Sequence, residues 1–169
     1  MGIRDSEMQR LIRYAQGMGL SVRFKPYVKG SNEGGGWAID GTEIEVFVSP
    51  GDTKTDKILT LIHEIGHHKG FVENNRKMDP KVTEALEDED EKKRNRKRIY
   101  LDELSDTQYW EQIYKDTDCK FDITKLYAQR DFDIWNYEVF YETGVFPGRK
   151  EKIEKLRDLK SKYRSKFNE

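Results

Sequence analysis

The chain is poor in the residues that would suggest the simplest architectures. With one cysteine in 169 residues, it has no internal disulfide framework and no thiolate-rich metal site. It has four prolines, and no apolar run comes near the ~18 residues that a membrane-spanning helix needs. Hydrophobic residues make up 35% and charged residues 37%, against roughly 25% charged in an ordinary soluble domain. Net charge is also lacking: 31 basic and 32 acidic residues nearly cancel, and aromatics reach 12%. Disordered chains usually combine high net charge with few aromatics, so wholesale disorder is excluded. The opening MGIRDSEMQR holds no apolar stretch of the secretory kind, and Gly2 has only Ser6 to support myristoylation. A cytoplasmic protein with no membrane partner is expected, and the length fits one domain over 1–169.

Residues 5–17 carry Met8, Leu11, Ile12 and Ala15 at helical spacing. Leu20, Val22 and Phe24 alternate with polar neighbours, which predicts a strand ending near Pro26. Trp37–Asp40 and Glu43–Val48 read as a hairpin, because Asp40-Gly41 supplies the positive φ that a two-residue turn demands. A second helix starts at Thr53 with a Thr-x-x-Asp56 capping box and is expected to stop at Gly70. Ile58, Leu61, Ile62 and Ile65 form its apolar stripe. Two further helices are read at about 127–143 and 149–167.

Between them, about 73–124, lies a polar helical insertion, read as a lid or recognition arm over the cleft. Its acidic run 87–91 is followed at once by KKRNRKR, giving i,i+4 pairs such as Asp90–Arg94 if both runs are helical. Over two-fifths of all charged residues fall in 84–104 and 149–169. The basic run and the basic terminal helix allow a nucleic-acid partner. The adjacent acids cancel their long-range field, so a solvated, self-neutralised surface is favoured.

All three histidines lie within six residues, His63, His67 and His68, and two of them complete His63-Glu64-Ile65-Gly66-His67. Residues four apart stand on one helix face, so His63 and His67 can share one zinc ion. Glu64 is then placed to reach a water on the metal and to act as general base. His68 points roughly 100° away around the helix. A catalytic zinc takes a third protein ligand, and with no histidine left this must be a carboxylate or Cys119. The candidates are Asp131 first, then Asp133 and Glu73, with Glu138 also on the downstream helix. Glu73 completes HExxHxxGxxE if the chain turns at Gly70, as in metzincins.

The order of helix, short sheet ending in EIEVFV, HEIGHH helix and later acidic helix resembles the small gluzincin-like metallopeptidases. It is most similar to the ImmA/IrrE type, common in phage and mobile elements. In that type the third ligand is a Glu in an ExxA pattern on a downstream helix. Asp131-Phe132-Asp133-Ile134 looks like that element, with Asp131 at the ligand position. The resemblance covers about residues 5–72 and 126–144. It implies an α+β fold with a small three-stranded antiparallel-type sheet packed on the HExxH helix, and additional C-terminal helices. It further implies a zinc-dependent peptidase acting on a protein or peptide substrate, held main chain to main chain along Glu43–Val48 as an edge strand. Tyr137 and Tyr141 lie near the ligand helix as candidate oxyanion partners. The alternative is a non-cleaving metal-binding regulatory or interaction module on the same fold.

Overall fold

The computed structural model describes residues 6–29, 35–37, 41–74 and 90–167. Its elements run α1 (Glu7–Gly17), β1 (Ser21–Pro26), β2 (Gly35–Trp37), β3 (Glu43–Val48), α2 (Lys54–Glu73), α3 (Glu91–Asp106), α4 (Trp110–Asp116), α5 (Ile123–Thr143) and α6 (Arg149–Phe167). A short 3₁₀ turn, Thr107–Tyr109, precedes α4. The class is α+β and mostly helical. Among the described residues no helix is long and apolar enough to cross a membrane. The chain divides into two compact units, Met1–Lys69 with Tyr109–Phe121, and Gly70–Gln108 with Asp122–Glu169. The expected insertion at 73–124 is therefore cut in two: its last part belongs with the N-terminal elements.

In the first unit, Ser6 caps α1 through a full capping box with Gln9. Thr53 and Asp56 do the same for α2, the Asp56 N–H donating to Thr53 Oγ1 at 3.1 Å and the Thr53 N–H to Asp56 Oδ2 at 2.8 Å. The sheet order is β1-β3-β2, with β2 antiparallel and β1 parallel to β3. The sheet is thus mixed, not antiparallel throughout as expected. The hairpin register runs toward the expected Asp40-Gly41 turn, and Gly41 has φ 73°; Asp40 lies outside the described residues. That turn fixes β2 against β3 only. β1 takes the other side of β3, in the direction that no local signal specifies.

Sheet order also decides the fate of the expected substrate rail. Glu43–Val48 is the middle strand, paired along its whole length by β1 and over Ile44–Val46 by β2. Its main chain is spent inside the sheet, and the sheet's edges belong to β1 and β2. On one face Arg23–Glu43 and Lys25–Glu45 form ion pairs, which at this exposure contribute little. On the other, Ile44 and Val46 are fully buried, as are Leu11, Ala15, Leu61, Ile62 and Ile65.

Trp110 and Ile113 complete this core at 1% and 0% exposure. Two side chains of α1 hold the end of α4 in place. Arg10 donates to the carbonyls of Thr117 and Asp118, both at 2.8 Å. Glu7 accepts from the Lys120 and Phe121 N–H groups. Cys119 is buried beside Thr117, and burial pushes its thiol up, away from the reactive thiolate.

In the second unit, α5 packs on both α3 and α6. Asp90 caps α3 by accepting from the Lys93 N–H. It therefore stands at the helix end and not on a helical face, as the expected Asp90–Arg94 pair required; Asp88 and Glu89 lie outside the described residues. Tyr100 stacks on Tyr141 at 5.8 Å, Lys93 lies over Tyr141, and the Arg96 side chain donates to the Tyr141 carbonyl. Between α5 and α6, Ala128, Leu159 and Tyr163 form a buried cluster with Tyr127 and Phe132 against it. Gly144, at φ 78°, closes α5 in the left-handed conformation.

Two expectations test this packing. Trp110→Ala is expected to lower unfolding stability in urea by about 3–5 kcal/mol, the cost of a fully buried aromatic, although Trp110 belongs to a charged stretch of sequence. The Tyr163 hydroxyl donates to Asp131, and burial, then that carboxylate, raises its pKa above 10.0. The folded chain thus favours the protonated phenol more than the unfolded chain does. Its contribution is complete below about pH 10 and is lost as pH rises through the higher folded value. Wild type is expected to exceed Tyr163→Phe by about 1.5 kcal/mol near pH 8, with the gap closing on alkaline titration.

Candidate metal centre

Helix α2 brings the two histidines together as its four-residue repeat requires. His63 and His67 Nε2 atoms stand 2.9 Å apart, with the rings edge to face at 4.6 Å. On the other side of His63 lies the Trp110 ring, 5.3 Å away and tilted by 58°. The first ligand is therefore held between the second ligand and a buried indole. That position traces back to α1, whose Arg10 and Glu7 fix the segment after α4. Neither imidazole is fully exposed, so ring rotation is limited.

The apolar stripe of Ile58, Leu61, Ile62 and Ile65 is buried opposite the ligand pair, as its spacing predicts. Burial goes further than a single stripe. Glu64 is 5% and His68 3% exposed, and Gly66 is buried as well. Glu64 follows His63 directly, so its carboxylate leaves the helix next to the ligand pair but on a separate line. Thr60 and Glu64 are one turn apart, and the Thr60 hydroxyl is tied to the Asp56 carbonyl at 3.2 Å.

The donor set accommodates a metal ion. Two ligand nitrogens ~2.0–2.1 Å from a tetrahedral ion stand ~3.3 Å apart, so the observed pair needs to open by only a few tenths of an ångström. At 2.9 Å the same nitrogens stand within hydrogen-bond distance of each other. Both imidazoles are half-buried.

Asp131 and Asp133 both have partners within the second unit. Asp131 is engaged by the Tyr163 hydroxyl and by Arg130, whose Nε lies 3.4 Å from it. Asp133 accepts from Gln129 at 2.8 Å. Glu73 is excluded by helix length: α2 runs through Gly70 to Glu73, and Asn74 donates to the Gly70 carbonyl from both its backbone and its side chain. Without a turn at Gly70, six residues of helix place Glu73 about 240° around from His67, and it is exposed. Tyr137 and Tyr141 are occupied with Phe146 and Tyr100.

Comparison with protein-family models, with curated proteins and with solved structures finds no match to this chain.

Metal titration separates the carboxylates. Cobalt(II) or zinc is expected to bind one to one, with binding abolished in His63→Ala and His67→Ala. Among Asp131→Ala, Asp133→Ala and Glu73→Ala, affinity is expected to fall at least about tenfold in the one that removes the third ligand and to stay unchanged in the others. Isothermal titration calorimetry or cobalt absorbance measures each.

Proposed function

We propose that the chain is a zinc-dependent peptidase of the HExxH kind, resembling the ImmA/IrrE type, with His63 and His67 as metal ligands, a carboxylate as the third and Glu64 as general base. The observation that carries this reading is the pairing of two imidazole Nε2 atoms 2.9 Å apart on one helix, with a separate buried carboxylate on the adjacent helical position. Two histidines and one carboxylate are a ligand set of catalytic zinc sites, which leave a further position for water or substrate. A purely structural site has no need of Glu64.

Bound zinc would polarise the scissile carbonyl and make a water nucleophilic near neutral pH. The chain supplies the proton handling. A Glu64 carboxylate oxygen accepts the proton that the water loses as its oxygen adds to the peptide carbon. When the C–N bond breaks, the same group returns the proton to the leaving amine, and the carboxylate is regenerated. Burial of Glu64 shields its carboxylate from bulk water. Trp110 holds the His63 ring in place and touches no reacting atom.

The substrate class is a protein or peptide. With β3 in the middle of the sheet, Glu43–Val48 is not proposed as its docking strand.

Cleavage of fluorescein-labelled casein by the zinc-loaded protein tests this reading. Glu64→Gln is expected to keep one zinc per chain and to lose about 10²–10⁴-fold in rate. Equal cleavage by both forms overturns the assignment of Glu64. Zinc binding with no cleavage by wild type favours the non-cleaving regulatory module.

A further inference from the structure

Strand β2 makes its closest approach to α2 at the carboxylate the proposed reaction depends on. A Cβ built on Gly35 would stand 2.8 Å from the Glu45 carbonyl oxygen, 2.9 Å from Thr60 Cγ2 and 3.0 Å from Glu64 Oε1. All three lie inside van der Waals contact, so something must give. The Glu45 carbonyl belongs to the middle strand of the sheet, and Gly36 of β2 pairs with it in register. Thr60 is anchored through its hydroxyl to the Asp56 carbonyl. Of the three, the end of the Glu64 side chain is the part that can move. The neighbouring glycine behaves differently: a Cβ on Gly36 would meet nothing within 4 Å.

From this contrast we infer that Gly35 is a positioning residue, whose missing side chain leaves the Glu64 carboxylate the space it occupies beside the ligand pair. The inference rests on the peptidase reading for its catalytic consequence, but its structural half stands apart from that reading. Gly35 has no reason of its own to be glycine in backbone conformation, since its φ is not positive; the requirement is one of space. A methyl group there would push the carboxylate off its line by roughly the shortfall in contact distance, and displacements of that size at a reacting group are costly in rate.

Gly35→Ala and Gly36→Ala form a matched pair, because each adds one methyl to the same strand and they differ only in what that methyl meets. A thermal-melt cycle with Glu64→Ala reads the contact without any substrate. Gly35→Ala is expected to lower Tm by about 4–8 °C in the wild-type background and by measurably less in the Glu64→Ala background, where the contacts to the Glu45 carbonyl and Thr60 remain. Gly36→Ala is expected to stay within about 2 °C of its parent in both. On fluorescein-labelled casein, zinc-loaded Gly35→Ala is expected to lose at least about tenfold in kcat, with KM and zinc content unchanged. Gly36→Ala is expected to stay within about twofold.

An equal Tm loss in both backgrounds overturns the inference, and so does undiminished kcat in Gly35→Ala. If Gly35→Ala alone does not fold, folding of the double variant supports the contact and its failure to fold overturns it. If wild type cleaves nothing, the peptidase reading falls, and the melting cycle alone decides the role of Gly35.

Discussion

The four-residue repeat of a single helix is the constraint on which the first unit is built. Two imidazoles at that spacing must share one side of α2, and the side chains around them are packed so that neither can turn far. Ile58, Leu61, Ile62 and Ile65 anchor the opposite side. Trp110 closes over His63, and the backbone carrying Trp110 is fastened by Arg10 and Glu7 of the first helix. A chain of contacts thus runs from the N-terminal helix to the Nε2 atom of one ligand. Such preorganisation costs little further ordering when an ion arrives, because the entropy was given up in folding.

Several features around α2 oppose stability. Burying a carboxylate such as Glu64 costs several kcal/mol before its partners are counted. Gly66 in the middle of a helix costs ~1 kcal/mol relative to alanine. The tight approach at Gly35 leaves β2 no tolerance for a side chain at that point. Each is a local departure from the residue that folding alone would choose, and all lie within one or two turns of the histidine pair. Strain and burial gathered in one place are what a reacting group demands of its surroundings.

The second unit solves a different problem, namely how to order a strongly charged sequence with little aliphatic core. It does so with aromatic rings and the cations that lie over them. Tyr100 on Tyr141, Lys93 over Tyr141, Lys155 over Trp135 and Arg130 over Tyr127 let long basic side chains cover apolar surface while their heads stay in water. The same economy engages Asp131. It is the acceptor for Tyr163 and lies against Arg130, so its charge is committed to the packing of α5 on α6.

The sequence by itself determined everything that is local and periodic. The 3.6-residue repeat placed His63 and His67 together and the isoleucines opposite. The Thr53 cap marked where α2 begins, and β2 pairs antiparallel with β3 where the hairpin was read. Helix and strand positions of this kind depend on neighbours within one turn or one register, which a reader of the chain can count. Tertiary structure decided what depends on partners far along the chain. It set β1 parallel on the open side of β3, which made Glu43–Val48 a central strand. It carried α2 past Gly70, because a buried helical glycine whose carbonyl is capped by Asn74 does not end a helix. It drew Trp110 out of a charged stretch into the core, where its hydrophobic area outweighs the polarity of its sequence neighbours.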